Sequence, residues 1–422
     1  MAEAEPKISF QQIDVDLDVQ EILLAASQHD LAKLRRLVRT QSSLPDAANV
    51  KDPETGYSPL HSAIAACEPE TEEQAKGDAS KIDAETLKSG VETVKLLLQE
   101  GAIWNDLDNN NETPGCLARR IGALELYDLI VDAGVRAEML LNRLDGYEEL
   151  SDDEDDIKES GEKAEGAEAE TETEAPELVD VTAEQAATII ANANAEAETV
   201  ANPDVTNVKY LDSNLNIQKD RILDSDQNGV MMQWESDIMK KSAVALLPRP
   251  GLKVLNIGHG MGIVDGFFQE QSPAEHHIIE AHADVAAEMK KRGWDKKPGV
   301  VIHEGRWQDI LPGLVGEGVT FDAIYYDTFA ESYADFREFF SEQVIGLLEQ
   351  EGKWGFFNGM GADRQISYDV YQKVAEMDLF EAGFDVEWED IPVPKLEGEW
   401  EGVRRAYWVV ENYRLPLCRF ME

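Results

Sequence analysis

The sequence predicts an α/β protein, a doubly wound sheet of about 220 residues preceded by an all-α region. Three observations carry this reading. Val254–Ile257, Ile278–Ile279 and Ala323–Tyr326 are short apolar runs, and each ends in a Gly-rich turn or a carboxylate. Runs of that length read as buried parallel strands, and function in an open α/β sheet gathers at their carboxyl ends. Next, Gly101 and Gly134 each close an apolar helical run and stand 33 residues apart, which is a repeat period. Finally, about half of the residues from Glu148 to Asp180 are Asp or Glu, with only Lys158 and Lys163 opposing them. Such a segment cannot bury apolar area and reads as a linker. The expected organisation is therefore a helical region at 18–145, a disordered acidic linker at 146–181 and a sheet domain at 182–422.

The 422 residues carry a formal net charge of −47 and are 43% hydrophobic. A phosphate backbone would be repelled, so direct nucleic-acid binding is not expected, whereas a basic protein would be attracted. Cys67, Cys116 and Cys418 are far apart, with no metal or redox spacing. The start of the chain has no apolar signal region, and no apolar run approaches a membrane span. A soluble intracellular monomer is expected.

In chain order, Leu23–Ala26 through Leu34, Leu37 and Val38 read as a degenerate first repeat that caps the array. Gly56-Tyr57-Ser58-Pro59-Leu60-His61-Ser62-Ala63 resembles the T-P-L-H-x-A signature of ankyrin repeats, with Ser in place of Thr. Val94–Leu98 with Gly101-Ala102 resembles the second helix and its cap. Asn105, Asp108 and Thr113-Pro114 open another unit, closed by Leu129-Ile130 and Ala133-Gly134. Polar 68–90 reads as an insertion, and His61 as a structural side chain. Ankyrin arrays bind proteins, so a protein partner or a purely structural appendage is expected here. A helix at Ala183–Glu198 leads into the sheet domain, and Gln233–Leu247 reads as an amphipathic helix stopped by Pro248 and Pro250. Strands are expected at 252–257, 276–280, 299–303, 321–326 and 352–357, with two more near 384–389 and 405–411.

Gly258-His259-Gly260-Met261-Gly262 is G-x-G-x-G, whereas a dinucleotide fingerprint asks for G-x-G-x-x-G/A and finds Ile263 here. S-adenosylmethionine has no pyrophosphate to seat and tolerates that departure better. Glu280, about 20 residues on at the end of the next strand, suits a ribose diol.

Trp234-Glu235-x-x-x-Met239, Ile257–Met261, Ile278-Ile279-Glu280, Gly305-Arg306-Trp307-Gln308-Asp309 and Tyr326-Asp327-Thr328 together resemble guanidinoacetate N-methyltransferase over about 200–420. With the ankyrin-like front and acidic linker, the chain resembles the fungal type IV (δ-N) protein arginine methyltransferases. The resemblance implies a Rossmann-like class I methyltransferase domain that uses S-adenosylmethionine on a basic substrate such as a ribosomal protein, in cytoplasm and nucleus. No basic import cluster stands out. It implies that Met261 and the Gly258, Gly260 and Gly262 backbone face the methionine moiety. Glu280 is then expected to hold the ribose, with Ala281 and His282 beside the adenine and Gly305, Arg306 and Trp307 along its edge. Tyr210, Met231 and Met239 are expected as a lid and wall, core packing being the alternative for the two methionines. Trp307 has burial as its alternative.

Glu235 and Asp327 are the expected catalytic pair, Asp327 also touching cofactor. Arginine is cationic at any accessible pH, so its nitrogen lone pairs are tied up. Two carboxylates can grip the terminal nitrogens, draw charge from the internal one and take its proton. The alternatives are a helix-N-terminal acid at Glu235 and a turn residue at Asp327. Gly359 and Gly361 stand where the resemblance places the small-molecule acceptor's carboxylate, which suggests room for a peptide. The loop of paired glutamates and the C-terminal barrel of the ω-arginine methyltransferases are not found. A small-molecule guanidino N-methyltransferase and a non-catalytic ankyrin adaptor remain the rival readings.

Overall fold

A computed structural model describes residues 17–41, 44, 46–69, 82–144 and 205–421. The acidic segment 146–181 and the helix expected at Ala183–Glu198 lie outside the described residues, as does 70–81 of the expected insertion. The N-terminal part is built from helices α1 (Leu17–Ser27), α2 (Leu31–Arg36), α3 (Pro59–Ala65), α4 (Ala84–Gln99), α5 (Pro114–Arg120) and α6 (Leu124–Leu144). The Ser-Pro and Thr-Pro pairs start α3 and α5. The Ser58 and Thr113 hydroxyls accept backbone N–H bonds from His61 and Cys116, and proline at the next position sacrifices no helical bond. His61 is buried and structural. Its Nε2 donates to the Glu112 carbonyl at 3.1 Å and its Nδ1 lies 2.8 Å from the Ser58 hydroxyl, which ties two successive turns together.

The C-terminal part opens with helix α7 (Asn207–Leu211) and a small antiparallel sheet of β1 (Asn216–Ile217), β2 (Arg221–Leu223) and β3 (Gly229–Met232). A main sheet of seven strands follows: β4 (Lys253–Ile257), β5 (Glu275–Glu280), β6 (Val300–Glu304), β7 (Phe321–Tyr326), β8 (Leu348–Phe356), β9 (Phe384–Pro392) and β10 (Asn412–Phe420). Between them run helices α8 (Ser236–Leu246), α9 (Ile263–Glu270), α10 (Ala283–Lys291), α11 (Trp307–Gly316), α12 (Tyr333–Glu338) and α13 (Gln365–Glu381). The strand order is β6-β5-β4-β7-β8-β10-β9. The first five in that order run parallel, and β10 lies antiparallel to both β8 and β9. The chain therefore turns back at β4, and the crevice between the ends of β4 and β7 is the topological switch point. One face of the sheet packs on Trp354, Phe336, Phe339 and Phe340, and the other on Met231, Met239, Leu246, Phe268 and Tyr325. This is a mixed Rossmann-like sheet.

The described residues between Leu17 and Ala137 and between Val205 and Met421 fall in one compact unit. Helix α13 supplies contacts with the N-terminal part. The Tyr127 hydroxyl donates to Asp369, and Lys373 pairs with Asp132 at 3.3 Å. Asp369 also accepts from Gln365 and Arg414, at 3.0 and 2.8 Å.

Two expectations need correction. The last strand is Asn412–Phe420, while 405–411 is a loop. Trp408 and Val410 are buried and the residues around them more exposed, which mimics strand alternation, while Pro416 argues against a strand where one exists. The amphipathic helix divides into a 3₁₀ turn, Gln233–Glu235, and helix α8. The small sheet was not expected, because strands of two to four residues are too short to show periodicity.

Asp369→Ala removes the acceptor shared by Tyr127, Gln365 and Arg414. Urea unfolding is expected to show a loss of about 1–3 kcal/mol, with the midpoint shifted and the slope unchanged.

Candidate active site

A cleft of about 590 Å³ lies at the switch point. Tyr210, Met231, Gly258, Gly260, Glu280, Ala281, Gly305, Arg306, Trp307 and Asp327 line it, all named from sequence. Thr328, Phe329 and Glu331 line it as well and were not.

The Gly-rich turn links three strand ends. Gly258 donates to Ile279 at the end of β5, and Asp327 donates to Ile257 at the end of β4, both at 2.9 Å. Gly258 has φ +90°, and a Cβ there would stand 1.8 Å from the Asp327 carbonyl oxygen. Only glycine lets the turn lie against the strand that carries Asp327. Beneath the turn, Asp265 of helix α9 binds His259 Nδ1 at 2.6 Å, His276 Nε2 at 2.8 Å and Asn256 Nδ2 at 2.9 Å. Burial opposes ionisation of Asp265, yet the attraction and hydrogen bonds of His259 and His276 pull it down to about 2. The buried anion thus pins the Gly-rich turn from below. Asp265 follows the glycines by three residues, a helix-start position that reads as an ordinary capping acid; nothing local announces its histidine partners.

Glu280 is 5% exposed. Its carboxylate accepts from the backbone N–H of His259 at 2.9 Å, Gly260 at 3.3 Å and His282 at 2.7 Å. It is held rigidly at the strand end, in the place for a ribose diol. His282 follows Ala281 and lies outside the cleft lining. It caps helix α10, and its Nε2 donates to the carbonyls of Tyr210 and Ser213 at 3.1 and 3.2 Å. Through that tether Tyr210, on helix α7, packs at 5.0 Å against Phe329 beside the cleft.

Met261 lies outside the cleft lining, its N–H bonded to the Met231 sulfur at 3.2 Å; Gly262 starts helix α9. Met239 is fully buried in the core, the alternative considered for it. Trp307 lines the cleft and is 2% exposed; its indole N–H donates to Glu331 at 3.0 Å. The Tyr326 hydroxyl donates to the same carboxylate. Glu331 was readable only as part of a strand-end loop, and its role in orienting Trp307 is a tertiary fact.

Asp327 lines the cleft, whereas Glu235 lies outside its lining. Glu235, 3% exposed, ends the 3₁₀ turn and accepts from the Tyr407 hydroxyl. Burial, then the charge of Asp327, push its carboxyl well above the usual range, so the two carboxylates interact. Asp327 is partly exposed overall, but its Oδ2 is buried with no hydrogen-bond partner. Burial first, then the charges of Asp265 and Glu280, push it up to about 7. An unpartnered buried carboxylate oxygen in a cleft calls for a donor or a cation from a ligand. A rigid acid for a diol, a glycine cradle and a carboxylate pair are together a fit for S-adenosylmethionine and a cationic acceptor.

Beyond β8, Asn358 is buried and bonded to Tyr413, Tyr368 and Arg414, so this turn is firmly braced. Gly361 has φ +68°, and a Cβ would lie 2.7 Å from the Ser367 backbone. The fold alone demands glycine there, so Gly361 says nothing about acceptor size.

The family model for guanidinoacetate N-methyltransferase matches residues 207–391. Protein arginine N-methyltransferase 2 of Aspergillus fumigatus is 69% identical over 99% of this chain and 100% of its own length. Its namesake in Neurospora crassa is 47% identical over 97% of each chain. Among solved structures, precorrin-6y C5,15-methyltransferase from Geobacter metallireducens is 16% identical, matching 52% of this chain and 100% of its own with a TM-score of 0.33. By its near full-length identity to those relatives, the chain belongs to the protein arginine N-methyltransferase 2 family.

Proposed function

We propose that this chain transfers a methyl group from S-adenosylmethionine to the internal, δ, guanidino nitrogen of arginine in a basic protein. The observation that carries the reading is the unpartnered Asp327 oxygen, in a cleft at the switch point and in electrostatic contact with buried Glu235. Bound S-adenosylmethionine supplies a sulfonium-activated methyl group. Glu280 and the backbone of Gly258 and Gly260 would hold it.

The remaining chemistry belongs to the carboxylates. A guanidinium entering between Glu235 and Asp327 relieves their mutual repulsion and supplies the donors Asp327 lacks. Hydrogen bonds to the two terminal nitrogens draw positive charge towards them and leave electron density on the internal nitrogen. The internal N–H proton, which must leave when that nitrogen takes the methyl group, would pass to one of the two carboxylates. A group pushed up to about 7 takes it and releases it to solvent. Gripping both terminal nitrogens favours δ over ω transfer, and the guanidinoacetate family model is consistent with internal-nitrogen chemistry. The net charge of −47 suits a basic partner such as a ribosomal protein, met in cytoplasm or nucleus. The ankyrin-like helices are proposed to assist in holding it.

The decisive test is incubation with labelled S-adenosylmethionine, a ribosomal-protein extract and, separately, guanidinoacetate, followed by fragmentation mass spectrometry. δ-N-monomethylarginine is expected. Label on the free guanidino acid alone would mark a small-molecule enzyme, and no transfer with cofactor bound would mark an adaptor. Glu235→Gln and Asp327→Asn are each expected to lower kcat/KM at least 100-fold, on the order of 3 kcal/mol or more, with cofactor affinity for Glu235→Gln close to that of the wild type.

Two pH effects follow from Asp327. Its ionised form is needed together with that of Glu235, so kcat/KM for the acceptor is expected to fall at least tenfold per unit below about pH 7. Stability runs the other way. Folded Asp327 keeps its proton up to about 7, whereas its ordinary value is 3.8, so stability falls as pH rises through that window. Asp327→Asn removes the penalty. Thermal unfolding at pH 8 is expected to show stabilisation on the order of 2–4 kcal/mol, shrinking to nothing at about pH 4.

A further inference from the structure

We propose that Tyr407 is the positioning residue for Glu235, presented by a strap, residues 393–411, that the small sheet clamps from outside the reaction centre. This rests on the reading of Glu235 as an acceptor-binding carboxylate. The strap joins β9 to β10 and has no regular secondary structure. Its hold on the domain is polar and specific. The Arg221 guanidinium on β2 donates to the Glu399 carbonyl at 3.1 Å and to the Glu401 carbonyl at 2.9 Å. The Arg404 N–H donates to the Gln227 carbonyl at 2.7 Å, and Val409 N–H to the Ala362 carbonyl at 2.8 Å. Gly229 on β3 leaves room for the Tyr407 ring, which would otherwise meet a Cβ at 2.9 Å.

The direction of the hydrogen bonds decides what Tyr407 does. Trp234 Nε1 lies 3.2 Å from the Tyr407 hydroxyl. An indole N–H only donates, so the tyrosine oxygen accepts from it and its own proton goes to Glu235 Oε1. The chain Trp234→Tyr407→Glu235 therefore runs one way. It orients Glu235 and favours the ionised carboxylate, in a site where burial and Asp327 act in the opposite sense. Trp400 packs edge-on to Tyr407 at 4.9 Å and Trp234 lies 6.0 Å from it, so aromatic contacts fix the ring as well. The phenol is not part of the cleft lining. It acts through Glu235.

Two measurements test this. The first is independent of turnover: a thermal-stability cycle of wild type, Tyr407→Phe, Glu235→Ala and the double variant at pH 8. Tyr407→Phe is expected to lower the melting temperature by a few degrees in the wild-type background and by much less when Glu235→Ala has already removed the acceptor. Equal losses in both backgrounds overturn the proposal. The second is the pH profile of kcat/KM for the protein acceptor. Tyr407→Phe is expected to move the acid limb up by about one unit and to cut kcat/KM about tenfold at pH 7, with recovery towards wild type at pH 9 and unchanged cofactor affinity. Arg221→Met, remote from the chemistry, is expected to shift the limb in the same direction by less. A uniform loss at every pH marks a merely structural tyrosine and overturns the proposal while the function stands. Absence of transfer by the wild type overturns both.

Discussion

Two carboxylates that repel one another in a shielded place are the constraint around which the rest of this molecule is arranged. Burial raises the proton affinity of Glu235 and of Asp327, and each is further raised by a neighbouring acid. Such a pair costs stability unless a cation sits between its members, so the fold must hold the two apart from solvent and from its own basic groups. The parallel sheet does the first part. Asp327 stands at the end of β7, fixed by a backbone bond to β4 and by a glycine that allows the turn to lie against it. Glu235 comes from a different direction, the 3₁₀ turn ahead of helix α8.

The Gly-rich turn is braced on both sides by acidic side chains. Above it, the Glu280 carboxylate collects three backbone N–H groups; beneath it, Asp265 collects two histidines and an asparagine. They differ from Asp327, which has a buried oxygen with no partner, whereas Glu235 accepts from Tyr407. Asp265 is held as an anion at about 2, whereas Asp327, with one oxygen unpartnered, stands at about 7. The unfilled acceptor leaves Asp327 open to a donor from a ligand.

The N-terminal helices are joined to the sheet domain through helix α13, and Asp369 is the common acceptor of that junction. Arg414, one of its donors, belongs to β10, the strand that follows the strap carrying Tyr407. Asp369 thus links the helical region to β10, the strand next to that strap.

Much of this was legible in the sequence, because its signals are local. Apolar runs ending in glycine or acid marked β4, β5 and β7, and Gly258, Glu280 and Asp327 fell at strand ends where an open sheet places ligands. Ser-Pro and Thr-Pro marked two helix starts, since capping needs only neighbours along the chain. What the sequence could not disclose depends on residues far apart meeting. Tyr407 meets Glu235 across 172 positions, Asp369 meets Tyr127 across 242, and His282 meets the Tyr210 carbonyl across 72. Trp408 and Val410 looked like a strand because burial can alternate in a loop packed on a core, and Pro416 hid the strand that follows. Periodicity reports which side of an element is buried; only tertiary structure decides what lies against it, because that contact is set by the packing of other elements.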